Sequence, residues 1–393
     1  MLRKLAIITT HPIQYYAPVF KLLAKECILK VFYTLGEQND YDSGFKRAVK
    51  WDIPLLEDYD FEFLENKAEQ PGSHHFKGIN NPTLIDKITE FNPNAILVYG
   101  WSYKSHLKAL RYFKGKVPVW FRGDSNLLDE KPSLKKYLRR IFLTWVYRHI
   151  DKAFYVGKAN KAYYKALGLK PQQLIFAPHA IDNDRFSQNR LEEVKELKKS
   201  LNIKNEEILI VFAGKFEEKK DPEILLSAFE ELDNNNVHLL FVGNGKLNQH
   251  LEAKANMRSS SSINHARVTN KVHFLDFQNQ SQMPVIYQAC DLFCLPSKGP
   301  GETWGLAVNE AMAAGKAILV SNKVGCAQDL VVNSLNGFIF EAENKSNLLT
   351  RLQELTSEKG NLMEMGDQSS RIIDNWTIQI QSQIIMNELN AIN

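Results

Sequence analysis

Strand-length apolar runs alternate with helix-like segments along both halves of this chain. In the first half the runs are 5–9, 28–33, 95–99, 117–121, 153–156 and 174–177, and in the second half they are 208–213, 239–243, 272–274, 292–295, 318–320 and 337–340. Such alternation is typical of parallel sheets covered by helices. Because one hydrophobic core rarely serves 393 residues, of which 44% are hydrophobic, we expect two α/β cores.

The charge balance and the cysteines restrict the class of protein. The 49 lysines and arginines nearly balance 45 acidic residues, and a formal charge of +4 is too even to indicate nucleic-acid binding. The cysteines lack the paired spacing of metal ligands, so we expect them to pack as small apolar side chains in a reduced, cytoplasmic chain. They are Cys27, Cys290, Cys294 and Cys326. The run 5–9 is too short for a signal peptide, and no run reaches the length of a membrane span.

Two carboxylates eight positions apart flank a helix start in the segment 301–315. The run 292–295 leads through a loop with Glu302 into a predicted helix, 307–314, that carries Glu310. First-turn N–H groups have no partner within a helix and can bind a diphosphate. Here those amides belong to Thr303, Trp304, Gly305 and Leu306. Glu310 would then accept hydrogen bonds from ribose hydroxyls and Glu302 would face the sugar; alternatively, both are solvated surface residues.

A second succession of strand, turn and helix lies upstream. The run 208–213 leads into Gly214, Lys215 and then Lys220, and a helical pattern follows at 224–229. Doubly wound sheets bind ligands beyond the carboxyl ends of their strands, so these lysines are placed to bind phosphate. The alternative is a solvated, lysine- and glutamate-rich turn.

The spacing of Glu302 and Glu310, with the run Glu-Ala-Met-Ala-Ala-Gly and the strand that follows, resembles the Glu-x7-Glu motif of retaining glycosyltransferases of family GT4, which have the GT-B fold. The resemblance implies two Rossmann-like, doubly wound parallel-sheet domains facing across a cleft. In that family a glycine, a basic residue and a lysine six positions past the glycine hold the donor diphosphate, and Gly214, Lys215 and Lys220 match this spacing. The family's usual arginine is Lys215 here, which lacks the bidentate fork.

The resemblance also predicts the domain boundaries. The segment 178–186 resembles the family's interdomain linker, with His179 and Ala180 in place of its usual asparagine and glycine. The expected domains are 1–183, joined by a C-terminal helix at about 376–393, for the acceptor, and 184–375 for the nucleotide sugar. The polar segment 258–270, which contains Ser259 to Ser262, is expected to be a flexible loop.

The activity implied is transfer of a sugar from a UDP- or GDP-sugar to a hydroxyl of a sugar or lipid-linked sugar acceptor, with retention, in cell-surface polysaccharide or glycolipid assembly. Lys215, Lys220 and Glu302 are the expected catalytic residues, since charge grows on the departing diphosphate. We expect no cofactor and no metal ion, because the triplet 182–184, Asp-Asn-Asp, lies in the linker. A sugar-nucleotide epimerase, a phosphorylase or a non-catalytic nucleotide-sugar-binding protein of the same fold are the alternatives.

The first half departs from the family pattern at the acceptor side. His11 and Pro12 follow the first strand where many members have a glycine-rich loop, and Arg122-Gly123-Asp124 follows a middle strand where many have a histidine. By position, His11, Arg122 and Asp124 are the acceptor-side candidates. Arg122 would bind a phosphate or carboxylate and Asp124 an acceptor hydroxyl, or the two pair and shape the loop. His106 is a further candidate, although a lone histidine is more often structural.

The segment from Ser133 to Ile150 predicts a basic amphipathic helix. Leu134, Leu138, Ile141, Phe142, Trp145 and Val146 form the predicted apolar stripe, and Lys135, Lys136, Arg139 and Arg140 crowd the remainder. Such a helix could lie on the anionic inner face of a membrane, which would suit a lipid-linked acceptor. Helices of α/β domains more commonly turn an apolar stripe toward the core, and this is the alternative.

Overall fold

The computed structural model describes residues 2–37, 41–42, 47–48, 50–130, 133–257 and 271–392. The predicted loop 258–270 lies outside the described residues. The chain divides into two compact units: the first holds Met1–Asn39, Ile53–His179 and Thr377–Asn393, and the second holds Asp40–Asp52 and Ala180–Trp376.

The first unit is built on a seven-stranded parallel sheet. Its strands are β1 (Lys4–Thr9), β2 (Ile28–Tyr33), β5 (Asp60–Phe63), β6 (Ala95–Tyr99), β7 (Val119–Arg122), β8 (Lys152–Tyr155) and β9 (Leu174–Phe176), and their order is β5-β2-β1-β6-β7-β8-β9. The central strands are buried along nearly their whole length, as expected of a sheet covered on both faces. Strand order reverses between β1 and β6, where ligands of open α/β sheets bind.

Strand β5 was not predicted from the sequence. Its apolar and acidic residues alternate at an exposed sheet edge, and the strand is held by contacts with distant residues. Phe63 stacks on Tyr33 with ring centroids 5.2 Å apart. The Glu62 carboxylate lies 3.1 Å from both Lys30 Nζ and Lys87 Nζ. Two further short strands, β3 (Tyr41–Asp42) and β4 (Arg47–Ala48), pair antiparallel and belong to the second unit.

Helices cover both faces of the first sheet. They are α1 (Ala17–Glu26), α2 (Leu84–Phe91), α3 (Lys104–Phe113), α4 (Leu134–Tyr147), α5 (Lys158–Ala166) and, at the C-terminus, α15 (Ile378–Asn390). Thr377 caps α15 by accepting a hydrogen bond from Ile380 N at 3.2 Å, and the helix packs against α1. None of the helices in the described part of the chain has both the length and the apolar character needed to cross a membrane.

Helix α4 presents the predicted apolar stripe to solvent and not to the core. Ser133 caps it, but Leu134, Leu138, Ile141, Phe142 and Trp145 are all exposed, and Val146 is the one member of the predicted stripe that is buried. Leu143, Val146 and Tyr147 make the contact with the core instead. The expectation that the predicted stripe covers the core was therefore wrong.

The second unit carries a six-stranded parallel sheet. Its strands are β10 (Ile208–Ala213), β11 (Val237–Val242), β12 (Val272–Leu275), β13 (Leu292–Leu295), β14 (Ala317–Ser321) and β15 (Gly337–Phe340), in the order β12-β11-β10-β13-β14-β15. The helices are α6 (Asn183–Ser187), α7 (Leu191–Ser200), α8 (Pro222–Phe229), α9 (Asn248–Met257), α10 (Met283–Ala289), α11 (Leu306–Ala313), α12 (Ala327–Leu330), α13 (Lys345–Leu355) and α14 (Lys359–Ile373). The order reverses between β10 and β13, so the loops after these two strands flank the switch point. Two parallel sheets with helices confirm the predicted α/β class.

Candidate active site

An ion pair joins the loops that follow β10 and β13. Lys220 Nζ lies 2.6 Å from Glu302 Oε2, and both side chains are largely buried. The Ser297 hydroxyl donates to the same carboxylate oxygen at 3.0 Å. The Lys298 N–H donates to the Lys219 carbonyl at 2.9 Å, which ties the two loops together through their backbones. Two predicted residues 82 positions apart are thus brought together at the switch point.

Electrostatics keep the Glu302 carboxyl ionised despite its burial. Burial acts to raise the pKa of Glu302, but the charge of Lys220 and the hydrogen bonds from Lys220 and Ser297 outweigh it and hold the pKa below its usual value. The Glu302 carboxyl is therefore charged at neutral pH. At the carboxyl edge of a parallel sheet, each member of such a buried pair can give up its partner and bind a ligand group instead. The ammonium would bind an anionic group and the carboxylate a hydrogen-bond donor.

Gly214 makes room for the Lys220 side chain. Its φ is +151°, and a Cβ added there would stand 3.3 Å from Lys220 Cδ and 3.4 Å from Cε. Lys220 ends a short 3₁₀ helix, Glu218–Lys220. Lys215 follows Gly214 directly and is partly buried, so all three predicted residues of this element lie in one turn beyond β10.

The loop 301–305 is fixed by the backbone of residues 324–326. Gly325 N donates to Glu302 O at 3.1 Å and Cys326 N donates to Trp304 O at 2.9 Å. A Cβ on Gly325 would stand 1.8 Å from Thr303 O, so this close approach requires glycine. Gly305, with φ +95°, is the residue at which the chain enters α11 at Leu306. Of the predicted amides, only that of Leu306 belongs to the first turn of α11, because the helix begins there; those of Thr303, Trp304 and Gly305 lie in the loop before it.

Two predicted donor residues are more deeply placed than the sequence indicated. Trp304 is buried, donates from Nε1 to Asn309 Oδ1 at 2.8 Å and contacts the tilted ring of Trp376 with centroids 5.3 Å apart. Its side chain is therefore a packing element. Glu310 is also buried, and its Oε2 accepts a hydrogen bond from the Tyr287 hydroxyl at 2.7 Å.

Sequence reasoning missed Ser297 and Tyr287, the two hydroxyls that hold the predicted glutamates. Ser297 could have been found, because it follows β13 directly and the carboxyl end of a strand at a switch point is where ligand-binding groups lie. Tyr287 lies in α10 among apolar residues, and nothing in the local pattern distinguishes it from the core.

The predicted acceptor residue Arg122 is engaged by the backbone of its own unit. It is 2% exposed, and its guanidinium donates to Ala177 O from Nη1 at 3.0 Å and to Pro178 O from Nη2 at 2.8 Å. These carbonyls belong to the segment that leaves the first unit. Arg122 therefore holds the chain's exit, a role that neither of the two sequence-based alternatives described.

Tyrosines occupy the switch point of the first unit. Tyr16 and Tyr99 contact each other with ring centroids 4.7 Å apart, beyond the ends of β1 and β6. Burial, reinforced by the Asp124 carboxylate, raises the pKa of Tyr16 well above its ordinary value, and burial raises the pKa of Tyr99 to about 12 against the opposing charge of Arg122. Asp124 and Arg122 therefore lie near these rings. His11 is exposed, and its Nδ1 lies 2.9 Å from Thr10 Oγ1.

Two histidines near this edge are buried and neutral. His106 Nδ1 donates to Gly100 O at 2.9 Å while its Nε2 lies 2.8 Å from the Thr34 hydroxyl, and burial lowers its pKa to about 4. Burial, together with the charge of Arg122, lowers the pKa of His179 to about 3. His106 is thus a structural residue, and His179 was missed as a neighbour of the arginine.

Within the described ranges, no group of three histidine, cysteine, aspartate or glutamate side chains has the arrangement of a metal site. In the linker triplet, Asp182 caps α6 by accepting from Arg185 N, and Asn183 donates to Ile373 O at 3.1 Å. The cysteines predicted to pack as apolar side chains, Cys27, Cys290, Cys294 and Cys326, are free thiols and buried.

Comparison with known proteins finds a family model that matches most of the second unit. Residues 193–372 match the family model described as glycosyl transferases group 1. The D-inositol 3-phosphate glycosyltransferase of Rhodococcus jostii is 28% identical over 181 residues, 45% of this chain and 39% of that protein. The chain spans about 40% of the length of several curated relatives, this one included.

Other matches extend over more of the chain. The N,N'-diacetylbacillosaminyl-diphospho-undecaprenol alpha-1,3-N-acetylgalactosaminyltransferase of Campylobacter jejuni is 26% identical over 314 residues, 77% of this chain and 79% of that protein. The crystal structure of HepE from Anabaena, in complex with UDP and glucose, has a TM-score of 0.72 at 17% identity and covers 99% of this chain and 100% of its own. The segment 193–372 is therefore similar to the group 1 glycosyltransferases, and the two parallel sheets together with the likeness to HepE give the chain the GT-B fold.

Proposed function

We propose that this chain transfers a sugar from a nucleoside diphosphate sugar to an acceptor hydroxyl, with retention at the anomeric carbon. The observation that carries the proposal is the buried Lys220–Glu302 pair, held by Ser297 between the loops that follow β10 and β13. A helix begins in the same loop, at Leu306. Positive charge and first-turn amides at a switch point are what a diphosphate requires.

The ion pair is suited to rearrange when the donor binds. A diphosphate oxygen would take the place of the Glu302 carboxylate as the partner of Lys220, since both are anionic acceptors of a charge-assisted hydrogen bond. The Glu302 carboxylate would then accept hydrogen bonds from the hydroxyls of the transferred sugar. The pair thus positions both side chains before the donor arrives.

Stabilisation of the leaving group is the main catalytic contribution that we assign. As the bond between the sugar and the diphosphate breaks, negative charge grows on the phosphate oxygens. Lys215, Lys220 and the amides of 303–306 would receive that charge, and preorganised donors of this kind each contribute substantially to the rate. The acceptor hydroxyl would attack on the same face and pass its proton to the departing phosphate, so the reaction needs no nucleophile from the protein, no cofactor and no metal ion.

The relatives suggest the classes of donor and acceptor. HepE is described in complex with UDP and glucose, and the Campylobacter enzyme is named for an undecaprenol-linked acceptor. We therefore propose a UDP- or GDP-sugar donor and a sugar or lipid-linked sugar acceptor, in the assembly of a cell-surface polysaccharide or glycolipid. Glu310, which now accepts from Tyr287, is assigned to the ribose of the donor.

Thermal unfolding with UDP, GDP, ADP and CMP tests the donor side. One diphosphate should stabilise the protein selectively, by about 2.7 kcal/mol at a concentration 100 times its dissociation constant. The stabilisation should be lost in Lys220→Ala and retained in Lys219→Ala, whose lysine lies next in the chain and is more exposed. Absence of stabilisation by any of the four nucleotides would contradict the proposal.

Product analysis tests the reaction itself. With the stabilising nucleotide's sugar as donor, release of the free nucleoside diphosphate should require an acceptor and should persist in EDTA. Conversion of the donor into an epimer without an acceptor would assign an epimerase instead. Activity that EDTA abolishes and magnesium or manganese restores would contradict metal independence.

A further inference from the structure

The exposed side of α4 has no structural explanation within the first unit. No residue of 134–142 is buried, and the exposed fractions of Leu134, Leu138 and Ile141 are 77%, 59% and 54%. Tyr137, Phe142 and Trp145 are also exposed. Large apolar side chains seldom gather on the surface of a soluble unit unless they bind something.

Helix geometry separates this surface from the core contact. At 3.6 residues per turn, Leu134, Leu138, Ile141 and Trp145 lie along one side of α4, whereas Leu143, Val146 and Tyr147 lie along the opposite side. The helix is therefore anchored by its C-terminal half and carries two apolar stripes. The buried stripe satisfies the core, so the exposed stripe, 134, 137, 138, 141, 142 and 145, is an additional surface.

The charges on α4 are all positive. Lys135, Lys136, Arg139 and Arg140 lie among its 14 residues, which include no carboxylate. Arg140 donates to Ala166 O and Lys136 pairs with Glu130 at 2.7 Å. Arg111, on α3, lies 5.3 Å above the ring of Trp145 and adds a fifth cation beside the stripe. The four cations of α4 lie on the side away from the exposed stripe, and a helix with one apolar and one cationic side matches an anionic bilayer surface, where the apolar side enters the lipid and the cations attract the headgroups.

A second copy of the chain fits this surface poorly. A symmetric contact through the exposed stripe would leave the four cations of each copy outside the contact, because they lie on the other side of α4. An anionic lipid surface provides the opposite charge along the whole helix.

The position of α4 relates the surface to the acceptor side of the unit. Because β7 ends at Arg122 and α4 follows it, the exposed first half of the helix lies toward the carboxyl edge of the sheet. Trp101, which follows β6 at the same edge, contacts Phe142 with ring centroids 5.7 Å apart. The stripe thus continues to the edge that carries Tyr99, Arg122 and Asp124.

We infer that α4 is a membrane-docking helix that lies in the surface of an anionic bilayer through its exposed stripe. The docking depends on α4 alone. That the bilayer presents a lipid-linked acceptor to the neighbouring sheet edge rests on the proposed function.

Vesicle co-sedimentation tests the inference. The full chain should bind vesicles of phosphatidylcholine with phosphatidylglycerol, and should bind phosphatidylcholine alone much less. The double variant Leu138→Glu/Ile141→Glu should bind the anionic vesicles at least about tenfold less tightly, since it removes two apolar anchors and adds two negative charges. Its matched control is Leu191→Glu/Met363→Glu, which changes two similarly exposed side chains of the second unit and should bind like the unaltered chain.

The charges are tested in the same way. Lys135→Gln/Arg139→Gln should weaken binding to anionic vesicles by about tenfold and make it less sensitive to salt, because each cation near an anionic surface contributes severalfold. Lys195→Gln/Lys199→Gln on α7 is the control and should have no effect.

The inference is overturned if Leu138→Glu/Ile141→Glu binds anionic vesicles as tightly as its control, or if the unaltered chain binds both kinds of vesicle equally. It is also overturned if the unaltered chain is a dimer in solution and this variant is a monomer with unchanged vesicle binding. Thermal stabilisation of the same variant by UDP or GDP reports on the donor site separately. Loss of docking with retained nucleotide binding therefore separates the two proposals.

Discussion

The two units place chemically different residues at equivalent positions. At the switch point of the second unit, between β10 and β13, Lys220 and Glu302 form a buried ion pair. At the switch point of the first unit, between β1 and β6, the rings of Tyr16 and Tyr99 are in contact and the nearby Arg122 is bonded to backbone carbonyls. A pair of side chains can exchange partners with a ligand at small cost, whereas an arginine that holds the backbone cannot. The fold therefore has two equivalent sheet edges, one at the switch point of each unit. In the described part of the chain, only the edge of the second unit is arranged to bind a charged ligand.

The largest effect should follow from Lys220→Ala. If the second edge binds the diphosphate, loss of this ammonium should lower turnover about a hundredfold to a thousandfold, because it removes a charge aimed at the leaving group. The variant also leaves the Glu302 carboxylate buried without its cation, so its thermal stability should fall as well. Turnover and unfolding are both measured.

Two control variants separate chemistry from folding. Lys220→Ala/Glu302→Gln removes the unpaired charge and should recover much of the lost stability without recovering turnover. Lys219→Ala should retain both. Full turnover in Lys220→Ala would show that the ion pair does not make the switch point of the second unit the binding edge for the diphosphate, and the comparison would fail.

A smaller effect, on stability, is expected from Arg122→Ala. The substitution leaves the buried carbonyls of Ala177 and Pro178 without their donor, which should lower the free energy of unfolding of the first unit by about 3 kcal/mol. Urea denaturation measures it, and stabilisation by UDP or GDP should persist. Arg111→Ala, which removes only a surface cation from above Trp145, should cost less than about 1 kcal/mol. If Arg122→Ala instead keeps full stability and raises KM for the acceptor, Arg122 is a ligand-binding residue and the comparison fails.

Acid should lower the stability of the protein through the buried His106 of the first unit. Burial lowers the folded-state pKa of His106 to about 4, whereas an unfolded histidine titrates near 6.5, so the unfolded chain takes up its proton first. The stability that His106 contributes is complete above its unfolded pKa and is lost as the pH falls toward its folded pKa. Between pH 7.5 and about pH 5 the loss should be about 2 kcal/mol.

The measurement is the difference between the unaltered chain and His106→Gln in urea denaturation at the two pH values. The difference isolates His106 from other buried histidines, such as His179 and His273, whose pKa values are also lowered by burial. An equal fall in stability for both proteins would show that His106 takes up its proton in the folded state as readily as in the unfolded chain, contrary to the effect of its burial.

The sequence predicted the fold better than the positions of side chains. Apolar runs located the buried strands because those strands are covered on both faces, but β5 lies at an edge and depends on Lys30 and Lys87, which no local pattern reveals. Helix α4 carries two apolar stripes, and the sequence alone did not indicate which of them meets the core. That choice depends on what the rest of the unit places beneath the helix.

At the candidate site, the residues chosen from the spacing of a motif lie together in the structure. The residues chosen only because they follow a strand were predicted less well. Gly214, Lys220 and Glu302 converge because their loops follow adjacent strands of one sheet. His11 and Arg122 were chosen only because they follow strands, and the bonds of Arg122 come from a segment 55 residues away. Partners at such separation follow from the packed structure and not from the local sequence.

The smallest effect, and the sharpest test of the donor edge, is expected from Lys215→Arg. Lys215 stands directly after Gly214 in the turn that holds Lys220, at the position where the motif that the sequence resembles has arginine. A guanidinium can bind a phosphate with two parallel hydrogen bonds, so the variant should bind the stabilising diphosphate about three- to fivefold more tightly, as measured by the shift in unfolding temperature across a titration. Lys219→Arg, on the same turn, should leave affinity unchanged. A surface turn without a ligand would respond equally to either substitution, so a gain in affinity confined to Lys215→Arg requires the phosphate to lie beyond β10. Weaker binding by Lys215→Arg would mean that the turn is shaped for an ammonium and that the diphosphate lies at a different angle.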